Sequence, residues 1–120
     1  MKTVLLSSGK RFPQLYGIRL QGTTVFVIFF FLYQDGKRMY SLRHLLKWTT
    51  VSRPGLRDFL RKQGVELRQA TPIEVTALKD ANAIAPTAKT PPLMMPSQGL
   101  KYIMRKVKDE FRLRLGRIME

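Results

Sequence analysis

The chain contains no cysteine among its 120 residues, one histidine, and only eight Asp and Glu. Without cysteine there are no disulfides, no thiolate nucleophile and no thiolate-bound metal, which agrees with a reducing, cytoplasmic setting. With so few acids and a lone histidine, His44, no cluster has metal-ligand spacing. Long hydrophobic runs are also missing. Val25–Tyr33 is nine apolar or aromatic residues, whereas a bilayer-spanning helix needs roughly 20. Gln34, Asp35, Gly36 and Lys37 end the run, and it starts too far from Met1 for a signal peptide. No membrane insertion is expected.

What the chain does have is positive charge. Twenty-two Lys and Arg give a net charge of +14. Residues 1–70 contribute +10, residues 71–99 nothing and residues 100–120 +4. Such self-repulsion adds nothing to folding, and a polyanionic partner is its natural compensation. Nucleic acid is the commonest polyanion; anionic lipid and acidic protein are the others.

Apolar residues make up 44% of the chain, enough for one folded core. The run from Val25 is β-branched and aromatic and does not alternate, which predicts a strand buried on both faces. A helix layer or a second protomer would then cover each side. Asp35-Gly36 predicts a two-residue type I′ hairpin turn into Lys37–Tyr40. Gln21-Gly22 marks a turn before the run, and Thr3–Leu6 is a further strand candidate. Residues 1–40 therefore read as an antiparallel meander of three or four strands.

From Ser41 the period becomes helical. Ser41 is an expected N-cap, with Leu42, Leu45 and Leu46 on one face. His44, between leucine positions, is expected at a surface or boundary. Ser52 and Pro54 open a second helix carrying Leu56, Phe59 and Leu60, and Gly64 closes it. Thr71-Pro72-Ile73-Glu74 is a capping-box pattern, predicting a helix from Pro72 to about Ala83. Residues 85–96 hold four prolines and read as a linker. In residues 97–120, Leu100, Met104, Val107, Phe111, Leu115 and Ile118 form one apolar seam on a basic amphipathic helix. That seam is the candidate surface for packing, for a homodimer or for a protein partner. The fold class is thus α+β: a basic domain over 1–84, a proline-rich linker over 85–96 and a C-terminal helix over 97–120.

Catalytic chemistry has little to rest on. Asp35 serves a turn and Glu74 a cap, and Asp109 and Glu110 are neighbours that point to different helix faces. The stretch SSGKRF lacks the first glycine and the Ser/Thr of a phosphate-binding loop. No enzyme and no cofactor is expected. Nucleic-acid binding has two supports. Residues 41–64 have a helix-turn-helix-like layout, with Arg53, Arg57, Arg61 and Lys62 on the second helix and Ser52 at its start. The ordinary alternative is a solvated helical hairpin packed on the sheet.

The second support is a resemblance. In GIRLQGTTVFVIFFFLYQDGKRMYSL, the residues Gly17, Ile18, Arg19, Gly22, Gly36, Lys37, Arg38, Ser41 and Leu42 resemble the three-stranded arm-type DNA-binding modules of phage integrases. It covers about a fifth of the chain. The Phe29–Phe31 run departs from the family, whose central strand is polar toward DNA, and no recombinase constellation is present. The resemblance implies DNA contacts from Arg19, Lys37 and Arg38. Lys10 and Arg11 add charge in a loop. The expected function is non-catalytic nucleic-acid binding, DNA favoured over RNA, in the manner of a small transcription regulator. The alternative is a structural or inhibitory protein docked in a larger assembly through its sheet and C-terminal helix.

Overall fold

A computed structural model describes residues 2–7, 11–19, 22, 24–109, 112, 113 and 116. The fold is mixed α+β around one antiparallel sheet. In chain order the elements are β1 (Lys2–Leu5), β2 (Gln14–Arg19), β3 (Phe26–Leu32), β4 (Arg38–Ser41), α1 (Leu42–Leu45), α2 (Arg53–Lys62), β5 (Arg68–Gln69), α3 (Pro72–Asp80), β6 (Leu93–Pro96) and α4 (Leu100–Ile103). Single 3-10 turns follow α1 at Leu46–Trp48 and α4 at Met104–Lys106. Among the described residues the sheet has six strands, ordered β1-β2-β3-β4-β6-β5.

β3 is the spine of two cores. Side chains alternate across a strand, so Ile28 and Phe30 enter one cluster while Phe29 and Phe31 enter another. Leu42, Leu45, Trp48, Leu56, Leu60, Leu100 and Ile103 cover the first face. Leu78 of α3, Ile84 and Ala70 cover the second. The continuous apolar run is therefore explained by helix and loop layers of the same chain. Tyr16, Phe30 and Tyr40 lie opposite one another on adjacent strands. Their rings stack at 5.3 Å and 5.2 Å between centroids, aromatic cross-strand pairs that hold the register. Gly17 opposes Phe29, and a Cβ there would meet the Phe26 ring at 2.6 Å.

Four local expectations change. The β3–β4 turn is not type I′, because of Asp35 and Gly36 only Gly36 takes a positive φ, +87°. Gly36 N–H donates to Tyr33 O, and Tyr33 N–H to Lys37 O. That is a type I turn closed by a left-handed glycine, the three-residue hairpin loop. Ser41 does not cap α1; its hydroxyl meets His44 Nδ1 at 2.7 Å instead. His44 is buried, against Phe29 at 4.6 Å, with Nε2 3.1 Å from Ala83 O. A carbonyl only accepts, so Nε2 carries the proton and Nδ1 of the neutral ring accepts from Ser41. Burial lowers the His44 pKa below 6.5, helped by Arg43 and Lys47 and opposed by the Ala83 bond.

The third change is the proline-rich stretch. Residues 93–96 form β6, between β4 and β5, with Met94 and Met95 fully buried in opposite cores. Pro96 lacks an N–H but sits at the strand end, where that loss is tolerated. The fourth is the C-terminal helix. It is broken after Lys106: Val107 is extended and bridges to Thr49, with Lys108 N–H donating to Trp48 O, and Asp109, Arg112, Leu113 and Gly116 are helical again. Leu100 and Val107 are buried in the first core and Met104 packs on it. The seam through Leu100, Met104 and Val107 is thus core, while Phe111, Leu115 and Ile118 lie outside the described residues.

Candidate nucleic-acid interface

α2 begins where local chemistry places it. Ser52 Oγ accepts from Gly55 N–H at 3.3 Å, Pro54 occupies the first turn, and Gly64 terminates the chain turn at φ +79°. Leu56 and Leu60 turn inward. Arg53, Arg57 and Arg61 recur every fourth residue and so share a face.

That face lines a cleft of about 560 Å³. α1 and α2 form one side, with Arg43, Arg53, Arg57 and Arg61 above Leu42, Leu46 and Leu56. Residues 88–93 and Gln69 form the other, contributing Lys89. Among the described residues no acid lines it. A second cleft of about 750 Å³ shares Arg61 and adds Lys37, Arg38 and Arg68, with Glu66 as its acid. The two clefts flank the β5–β6 edge of the sheet. Eight cationic side chains thus converge on joined concavities from five chain segments. Clefts lined by one sign of charge focus the field and attract polyanions.

The individual cations differ. Arg38 lies 4.9 Å over the Phe30 ring. The Arg57 Nε is shielded from solvent without a hydrogen-bond acceptor, Asp58 being 3.6 Å away. Arg68 is already engaged. Its Nη1 donates to Glu74 Oε1 at 2.7 Å and its Nη2 to the Tyr33 hydroxyl at 2.7 Å. Glu74, fully buried, also accepts from Tyr33 OH and from Thr71 N–H. Burial pushes the Glu74 carboxyl above 4.5, opposed by the Thr71 N–H, and burial lowers Arg68. This cluster ties β5 to α3; it is not a solvent-facing anion site.

Of the sequence candidates, Arg53 and Arg57 line the first cleft, Lys37 and Arg38 the second, and Arg61 both. Ser52 is occupied as a helix cap. Lys62 is exposed but lines neither cleft. Arg11 is exposed in the loop before β2, and Lys10 lies outside the described residues. Arg19 pairs with Phe26 at one end of β3 and covers its ring at 5.3 Å, whereas Arg38 pairs with Leu32 at the other end. The seven residues of β3 separate Arg19 from Arg38 by roughly 20 Å. Sequence reasoning missed Arg43, Arg68 and Lys89. Arg43 sits at helical spacing outside the leucine stripe and was legible as exposed; Lys89 is a single cation amid prolines, with no local signal.

Neither cleft holds an evident catalytic group. Ser41 and His44 are the nearest approach to a nucleophile–base pair, but both are buried and line neither cleft. Among the described residues no three His, Cys, Asp or Glu come together to hold a metal ion, and no helix is long and apolar enough to cross a membrane. The chain matches no protein-family model, no curated protein and no solved structure.

Proposed function

We propose that the protein binds nucleic acid without catalysing a reaction on it, through the joined clefts around Arg61. The observation that carries this is the convergence of seven cations, beside an Arg68 already spent on Glu74, on concave ground where Glu66 is the one acid among the described lining residues. Affinity is mainly electrostatic, so it falls steeply with salt. The likeness of residues 17–42 to arm-type modules adds Lys37 and Arg38 to this surface. It does not supply a sheet face for DNA, since both faces of β3 are covered. Docking in an assembly through the sheet and the C-terminal seam has less support, because Leu100 and Val107 are spent on the core.

The test is a fluorescence-anisotropy titration with duplex DNA, single-stranded DNA and structured RNA, at two salt concentrations and with heparin as competitor. Binding that resists heparin, and that weakens when Arg57 and Arg61 are both changed to Gln, is expected. Equal, heparin-sensitive and weak binding of all three would show the charge to be generic.

A further inference from the structure

The geometry of α2 distinguishes between duplex and single strand. A helix that reads the major groove must project its basic face, because the groove is only about 12 Å wide and the helix with its side chains nearly fills it. In α2 the basic row is turned toward the cleft, with Arg53 and Arg61 exposed there and Arg57 half-buried. Arg53, Arg57 and Arg61 border the cleft, and the position opposite the buried Leu56 and Leu60 is held by Asp58 and Lys62. A duplex approaching that outer face meets a carboxylate first. Residues 88–93, stiffened by Pro91 and Pro92, wall the cleft on its far side.

The spacing of the row fits another ligand. Four residues of α-helix advance about 6 Å, so the backbone positions of the three arginines are set at equal steps of that size. A straightened single strand separates its phosphates by roughly twice the ~3.4 Å axial rise per strand of B-form DNA. The two repeats agree. Leu42 and Leu56 below the row are buried in the core, but the half-buried Leu46, Pro91 and Leu93 give the cleft an apolar lining that can meet the faces of unpaired bases.

We propose that the first cleft is a track for an extended single-stranded nucleic acid. Arg53, Arg57 and Arg61 take successive phosphates, bases lie against Leu46, Pro91 and Leu93, and the strand passes Arg61 into the second cleft beside Arg38. This rests on the nucleic-acid reading above and narrows its ligand.

The experiment compares the full chain on a labelled oligothymidylate of about 12 nucleotides and on a duplex of the same length, near 150 mM salt. Arg53→Gln, Arg57→Gln and Arg61→Gln are measured beside Arg19→Gln and Lys62→Gln as charge-matched controls. Urea unfolding followed by emission of Trp48 checks that each variant is folded. The single strand is expected to bind at least about tenfold tighter than the duplex. Each cleft variant should weaken it several-fold and reduce the salt slope by about 0.7, while the controls stay near wild type. Arg57→Lys should retain the salt slope. Equal affinities or a duplex preference overturn the proposal, and so does an equal loss in the controls. If wild type binds neither oligonucleotide, nor structured RNA, the broader nucleic-acid reading falls with it, a result distinct from the others.

Discussion

Replacing Arg68 by Met should destabilise the protein by about 2–3 kcal/mol near neutral pH, and the loss should shrink on acidification. Glu74 is fully buried and has three partners: the Arg68 guanidinium, the Thr71 N–H and the Tyr33 hydroxyl. Removing one member of a buried ion pair costs roughly 3–5 kcal/mol, because the other charge stays desolvated. Arg68 is 38% exposed, so solvent already screens part of the attraction, and two neutral donors remain. Those facts set the lower figure. The change corresponds to a melting shift of roughly 10 °C for a chain of this size.

The pH dependence follows from proton linkage. Burial holds the Glu74 pKa above 4.5, and loss of the guanidinium raises it further. Between 4.5 and the raised folded value, the native state binds more protons than the unfolded state. Stability therefore falls as pH rises through that window. Urea unfolding followed by Trp48 emission at about pH 5 and about pH 7.5 measures both terms. A deficit below about 0.5 kcal/mol, or one equal at the two pH values, would refute the pairing. Changing both residues to apolar ones should cost less than Arg68→Met alone, since no buried charge is left.

His44 gives the opposite slope. Its folded pKa lies below 6.5, so the unfolded chain protonates first and stability is lost as pH falls below 6.5; His44→Gln should flatten that part of a pH–stability curve. Gly17→Val should cost roughly 1–3 kcal/mol by overpacking against the Phe26 ring, visible as a lower urea midpoint. Ser52→Ala should cost about 1 kcal/mol through the lost cap while leaving oligonucleotide affinity within about twofold. A larger loss of binding would make Ser52 a phosphate ligand rather than a cap. Phe31→Ala, at 1% exposure in the second core, should cost roughly 3–5 kcal/mol.

Much of the candidate interface was legible from residue order. Arg53, Arg57 and Arg61 stand at helical spacing beside a leucine stripe, and Lys37 and Arg38 follow a turn glycine. Charge outside an apolar period is a local property. What could not be read was which of these cations share a cleft. Lys89 reaches the α2 row only because β6 carries the preceding segment across the sheet edge, and Arg19 is excluded only because antiparallel pairing sends it to the far end of β3.

The same division runs through the fold. Residue order alone determined the elements whose signals act over a few residues: the β-branched and aromatic β3, the Ser52 cap of α2, and the reciprocal Thr71–Glu74 capping box. It also required both faces of β3 to be covered. Tertiary structure decided what covers them. A four-residue strand such as β6 has too few positions to show a period, and its partners β4 and β5 lie far away in sequence. The seam at Leu100, Met104 and Val107 has the same spacing whether the helix continues or breaks. It breaks after Lys106 because Val107 gains a bridge to Thr49 and a place in the core, and helix resumes at Asp109. His44 was drawn inward by Ser41, Ala83 and Phe29, and two of those three lie beyond any local pattern. Contacts between distant segments carry no signature in either segment alone, and those contacts built the clefts.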